Sequence, residues 1–187
     1  MRAIATSAAA LAAAALTITT MTTTTMVPAS ADSIGVKDAK DLAHGVDLRS
    51  VEVDHRADNV VITTTHKNLR PSFRTGSSGA VYIDTDETLG GPEYVFVGGY
   101  YRGTDYQLLH TKGFNHKSWG QPVEGSYRMT VDYDKEQVRF RIARKALGSP
   151  EQVRVAVKVG GTRTDGTSSG IVDWLGEPRS FTEWVAQ

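Results

Sequence analysis

Four places in this 187-residue chain combine residue types in a way that could do chemistry. The acidic run Asp84-Thr85-Asp86-Glu87 places carboxylates two residues apart at the end of an apolar stretch. Calcium takes roughly six to eight oxygen ligands, and alternate loop carboxylates are one way to begin such a shell. Glu93 and Asp105 would add to it if neighbouring strands bring them near. The same run also reads as a solvated turn closed by its own Asx hydrogen bonds. A second candidate is the set of rings Tyr100, Tyr101 and Trp119 in glycine-rich loops, where exposed flat faces suit the apolar side of a sugar. Trp119 packed beneath its own loop is the competing assignment.

The other two are weaker. Gly166-Thr167-Ser168-Ser169-Gly170 matches G-x-S-x-G, but a nucleophile elbow needs a strand-to-helix turn, and Ile171-Val172-Asp173-Trp174 continues as strand or coil. A flexible hairpin loop accounts for it. The histidines, His44, His55, His66, His110 and His116, contain no His-Glu-x-x-His. His110 and His116 could meet as zinc ligands only if the loop between them doubles back; surface or strand-end positions are the favoured reading. No recognisable nucleophile and base stand together, and one close carboxylate pair among 21 acidic residues is expected by chance.

Composition bounds the rest. With 21 Lys+Arg against 21 Asp+Glu, the chain lacks the basic footprint of nucleic-acid binding. With no cysteine, disulfide scaffolds, thiol nucleophiles and iron–sulfur clusters are excluded. The hydrophobic share of 40% predicts a folded chain, and the length predicts one domain.

The first 31 residues read as an address rather than as structure. Met1-Arg2 precedes an alanine-rich apolar run from Ala3 to Ile18, then a threonine stretch, then Ala29-Ser30-Ala31. That is the order of a secretory signal peptide cut after Ala31. The apolar run is shorter than the ~20 residues of a membrane span, and no cysteine stands at the cut to carry a lipid. The expected products are a signal peptide over 1–31, an extended lead-in over 32–47 and one domain over 48–187. The protein is expected to be extracellular, with no membrane attachment after cleavage.

The elements that must position the candidate residues follow a period of two. Val51, Val53 and His55 alternate with Glu52 and Asp54, Arg56 to Asn59 turn the chain, and Val60 to Thr65 returns as a hairpin. Tyr127 to Tyr133 and Val138 to Ile142 form a second hairpin around Asp134-Lys135, apolar on one face and charged on the other. Shorter runs at Ala80–Ile83, Tyr94–Val97, Tyr106–Leu109 and Val153–Val159 complete eight or nine strands, with one helical turn at Arg144–Leu147. An all-β, single antiparallel β-sandwich, jelly-roll-like, is the architecture this predicts. Barrel closure is the alternative that periodicity does not separate.

Ile83-Asp84-Thr85-Asp86, Gly103-Thr104-Asp105-Tyr106-Gln107-Leu108, Arg144-Lys145-Ala146-Leu147-Gly148 and the valines of 153–159 occur in this order. Together they resemble the family 9 carbohydrate-binding-module and DOMON-like sandwiches, and secreted proteins of actinobacteria. The resemblance spans Leu48 to Val159 and implies a sandwich whose relatives bind sugars, haem or calcium. Sugar-binding members stack their ligand between tryptophans. The quoted motifs contain none of Trp119, Trp174 and Trp184, so the resemblance assigns no sugar site, and Met129 has no evident partner for axial haem ligation. The expected function is a monomeric, non-catalytic module for polysaccharide or cell-wall glycan, with structural calcium as a candidate cofactor. A secreted glycan hydrolase and a protein-binding or inhibitory module are the alternatives.

Overall fold

Alternating β-branched residues on either side of Arg56–Asp58 leave the chain no stable option but to pair back on itself. In the computed structural model, which describes residues 32–40, 47–162 and 170–187, β2 (Asp47–His55) and β3 (Asn59–Lys67) form that antiparallel hairpin, with His55 opposite Val60. The second expected hairpin is β8 (Tyr127–Asp132) with β9 (Gln137–Ala143), and β9 pairs with β3. The lead-in is not loose: Asp32–Lys37 is β1, an edge strand paired along β2. Five strands in the order β1-β2-β3-β9-β8 make the smaller sheet. The expected signal peptide and most of the Gly166–Gly170 motif lie outside the described residues, as does His44.

The larger sheet is a meander, β4 (Ser77–Asp84), β5 (Tyr94–Gly99), β6 (Tyr106–Thr111) and β7 (Trp119–Pro122), extended on its other side by β10 (Gln152–Thr162). The free edge of β10 is shared. β11 (Gly170–Trp174) pairs with Lys158–Thr162, and β12 (Val185–Ala186) pairs with Gln152 and Val153. Between them, Val155 and Thr182 exchange hydrogen bonds and Leu175 N donates to Val157 O, so this edge presents few open groups.

The two sheets pack face to face as an all-β sandwich. Val51, Val53, Ile62, Phe140 and Ile142 of the smaller sheet share one buried cluster with Val81, Ile83, Phe96, Val155 and Val157 of the larger. These are the apolar members of the alternating runs, so the period-two pattern is what builds the interior. The sheets are also tied at one margin. Leu48 N donates to Asp173 Oδ2 (2.7 Å), and the fully buried His55 donates from Nδ1 to Val185 O (3.1 Å).

Candidate functional site

Ala80-Val81-Tyr82-Ile83 is apolar at four consecutive positions, which requires β4 to be covered on both faces. Val81 and Ile83 face the sandwich interior, while Ala80 and Tyr82 belong to a second cluster on the outer face with Val95, Leu109 and Ala156. Phe114, Trp119, Trp174 and Phe181 pack over that second cluster. Tyr82 lies 4.9 Å from Phe114 and 6.1 Å from Trp174 between ring centroids, and its hydroxyl donates to Phe114 O (2.8 Å). Burial raises the Tyr82 hydroxyl above its ordinary pKa, with the nearby Trp119 and Arg179 acting in the opposite direction.

The cover is incomplete. Ser78, Ala80 and Gly160 are too small to fill the face, and an open trough of about 530 Å³ lies above them and the Gly79 backbone. Trp119, Phe114, Asn115 and His116 line it from the β6–β7 side, and Lys158, Val172 and Arg179 from the β10–β11 side. Trp119 is held there by β7, where it pairs with Thr111. Asn115 caps the short 3-10 turn His116–Ser118 by accepting from Lys117 N (3.1 Å), which fixes the aromatic wall. Val172 is 52% exposed, so the trough combines aromatic walls, an apolar rim and polar heads.

Of the expected ring residues, the structure brings only Trp119 into this trough. Tyr101 covers Gly99, whose register partner Ser78 is on the trough floor, so it borders the same face. Tyr100 is a correction. The sequence reading places it as an exposed loop ring, but it is completely buried between the sheets, 5.3 Å from His66 and 6.2 Å from Phe140. Phe96, Gly98 and Tyr100 share one parity, and extending β5 through the two glycines would have predicted this. Burial pushes the Tyr100 hydroxyl well above its ordinary pKa, and the hydroxyl has no hydrogen-bond partner.

The acidic residues do not converge as a cation shell. Asp84 is fully buried and accepts from Arg154 Nε (2.9 Å) and Nη2 (2.7 Å) on Oδ2, and from Asp86 N (3.2 Å) on Oδ1. Asp86 accepts from Thr88 N and Oγ1, which hold its carboxyl below the usual range. Glu93 accepts from Thr85 N (2.7 Å) and Oγ1 (3.1 Å); burial nonetheless raises its pKa. Glu87 accepts from Gln152 Nε2. Asp105 precedes Tyr106, which pairs with Gly98 at the far end of the β5–β6 hairpin from Glu93. His110 lies against Tyr94 in a tilted ring pair (5.2 Å between centroids) while His116 lines the trough. Among the described residues no three His, Asp or Glu side chains come together to hold a metal ion. The turn is the Asx-bonded alternative.

No family model matches this chain, and no curated protein or solved structure does either.

A larger hollow of about 640 Å³ opens beside Leu89–Pro92, lined also by Glu93, His110, Lys112 and Gly120. It contains no Trp, Tyr or Phe, whereas the trough has ring faces beside hydrogen-bonding heads. Ligand sites need that combination of apolar area and a few placed polar groups. The trough was hard to foresee because its residues come from five separate stretches, β4, β6–β7, β10, β11 and the turn at Arg179.

Proposed function

We propose that this chain is a secreted, non-catalytic module that binds carbohydrate at or near the cell wall. The observation that carries the proposal is the open trough on the larger sheet, with Trp119 and Phe114 beside Asn115, His116, Lys158 and Arg179. A pyranose presents an apolar face and a ring of hydroxyls, and this lining offers a counterpart to each. The resemblance to family 9 carbohydrate-binding and DOMON-like sandwiches supports the same reading. Binding is favoured over hydrolysis because glycan cleavage uses an acid and a base or nucleophile across the substrate, and no carboxylate is among the described residues lining the trough.

Retention on insoluble polysaccharides tests it. Trp119→Ala is expected to weaken retention by at most about tenfold, since ring stacking contributes roughly 0.5–1.5 kcal/mol. A protein retained on no polysaccharide, or retained equally after Trp119→Ala, overturns the proposal. Export is tested by intact mass, expected to begin at Asp32, the first residue of β1. A retained Met1 on protein from the medium overturns it. Among the described residues no helix is long and apolar enough to cross a membrane.

A further inference from the structure

We infer that the glycan held in the trough is acidic, bearing carboxylate or ester sulfate groups; this rests on the carbohydrate-binding reading of the same site. Three of the described lining residues, His116, Lys158 and Arg179, can carry positive charge, and none is Asp or Glu. The chain as a whole is balanced, 21 basic against 21 acidic, so a lining of one sign is a local segregation.

The neighbouring cation shows what a matched charge looks like on this face. Arg154 lies on β10 two residues before Ala156 and four before Lys158, on the same outer side, and it is bound to Asp84. The ion pairs among the described residues engage Arg49, Arg56, Lys135 and Arg154. Lys158 and Arg179 are in none of them. Lys158 Nζ lies 5.7 Å from the Trp174 ring centroid. Arg179 is presented from a turn in which its own φ is +68°, a left-handed conformation that a non-glycine residue adopts at a cost.

Two unmatched cations around one concavity repel each other, and an anion placed between them relieves that repulsion. An arginine fork suits a carboxylate or sulfate held by two oxygens, and lysine adds a mobile point charge. A neutral sugar would leave both cations without counterions. An acidic sugar satisfies them while its ring stacks on the aromatic wall.

The test compares polygalacturonate with its fully methyl-esterified form, which keeps the sugars and removes the charge, and dextran sulfate with unmodified dextran. Binding to at least one acidic polymer is expected to exceed that to its neutral counterpart by about tenfold or more, and to weaken as salt rises. Lys158→Gln with Arg179→Gln is expected to remove about tenfold of that preference, the combined size of two partly exposed charge contacts. Melting should be unchanged, and Lys158→Gln alone serves if the double variant unfolds. Lys145→Gln, an exposed cation away from the trough, should change nothing.

Retention of carboxylate polymer alone, or of sulfate polymer alone, identifies which anion the site takes. Equal binding of acidic and neutral forms, still dependent on Trp119, overturns the acidic preference and leaves the carbohydrate reading standing. An acidic preference that survives in the charge variants also overturns it, placing the anion elsewhere on the surface. No binding to any of these polymers overturns the acidic preference, and the carbohydrate reading then stands or falls on retention by the insoluble polysaccharides.

Discussion

Arg154 holds Asp84 through two nitrogens on a single carboxylate oxygen, and its guanidinium lies 4.7 Å from the Phe181 ring centroid and 4.5 Å from that of Trp184. The two residues are direct register partners on β4 and β10. The pair therefore anchors the C-terminal segment to the larger sheet by charge and by ring contact together.

Removing one member leaves the other without its counterion. Asp84 is fully buried while Arg154 is partly exposed, so Asp84→Asn, which leaves only the arginine unpaired, is expected to destabilise the fold by less than the roughly 3–5 kcal/mol typical of stranding a buried charge. Arg154→Ala adds the loss of two ring contacts and should cost at least as much. Urea titration checks both; a change below about 0.5 kcal/mol in either would show that the pair is not structural.

Calcium should not stabilise the protein. Both oxygens of Asp84 are engaged and Asp105 lies at the far end of its hairpin, so no shell is ready to receive the ion. Melting curves in about 5 mM calcium and in chelator should coincide, whereas a site with a dissociation constant near 10⁻⁴ M would raise stability by about 2.3 kcal/mol.

Gly79 and Tyr100 make a matched pair in the interior. A Cβ on Gly79 would overlap the Tyr100 hydroxyl, so Gly79→Ala should destabilise by several kcal/mol, at the upper end of the roughly 1–3 kcal/mol usual for overpacking. Tyr100→Phe removes a buried hydroxyl with no partner and should be neutral or mildly stabilising. Combining the two should recover part of the loss, because the nearest atom in the way is gone while the ring carbon Cζ, 2.4 Å from the added Cβ, remains. Additive effects of the two substitutions would contradict the geometry.

Acid should loosen the sandwich. Burial holds His66 down to about 3 from 6.5, and burial also lowers His55. The unfolded chain then takes up protons more readily than the folded one, so stability is full above pH 6.5 and falls as pH drops toward 3. The slope approaches roughly 1.4 kcal/mol per pH unit for His66 across that window, and His55 acts in the same direction. Unfolding free energies between pH 8 and pH 4 test this; a His66→Phe variant should show a shallower decline, and an unchanged slope would exclude His66 as the cause.

What the sequence carried of this fold depended on whether a strand had one wet face. β2, β8 and β9 do, and Val51 and Val53, Met129 and Val131, and Val138, Phe140 and Ile142 mark them by alternation. β1 is legible only as an extended lead-in, because Ser33 and Gly35 leave it just the half-buried Ile34 and Val36 to show. β7 ends in a proline after four residues and β12 has two, both too short for a pattern. The start of β4 hid in Ser77-Ser78-Gly79, where smallness is required beneath Tyr100 and at the trough floor. Of the candidate site, Trp119 was legible as a ring beside a loop. Lys158 and Arg179 were not, since their meeting depends on how β11 and the following turn fold back across β10.

The pairing of β12 with β10 beside β1 and β2 has a use in protein engineering. Asp32 is the register partner of His55, and His55 bonds to Val185, so the first and last described strands sit side by side. In a chain trimmed to residues 32–187, strands that close suit circular permutation. A short flexible linker from Gln187 to Asp32, with new termini opened in the exposed Thr88–Gly90 turn, would preserve every strand pairing and leave the trough untouched.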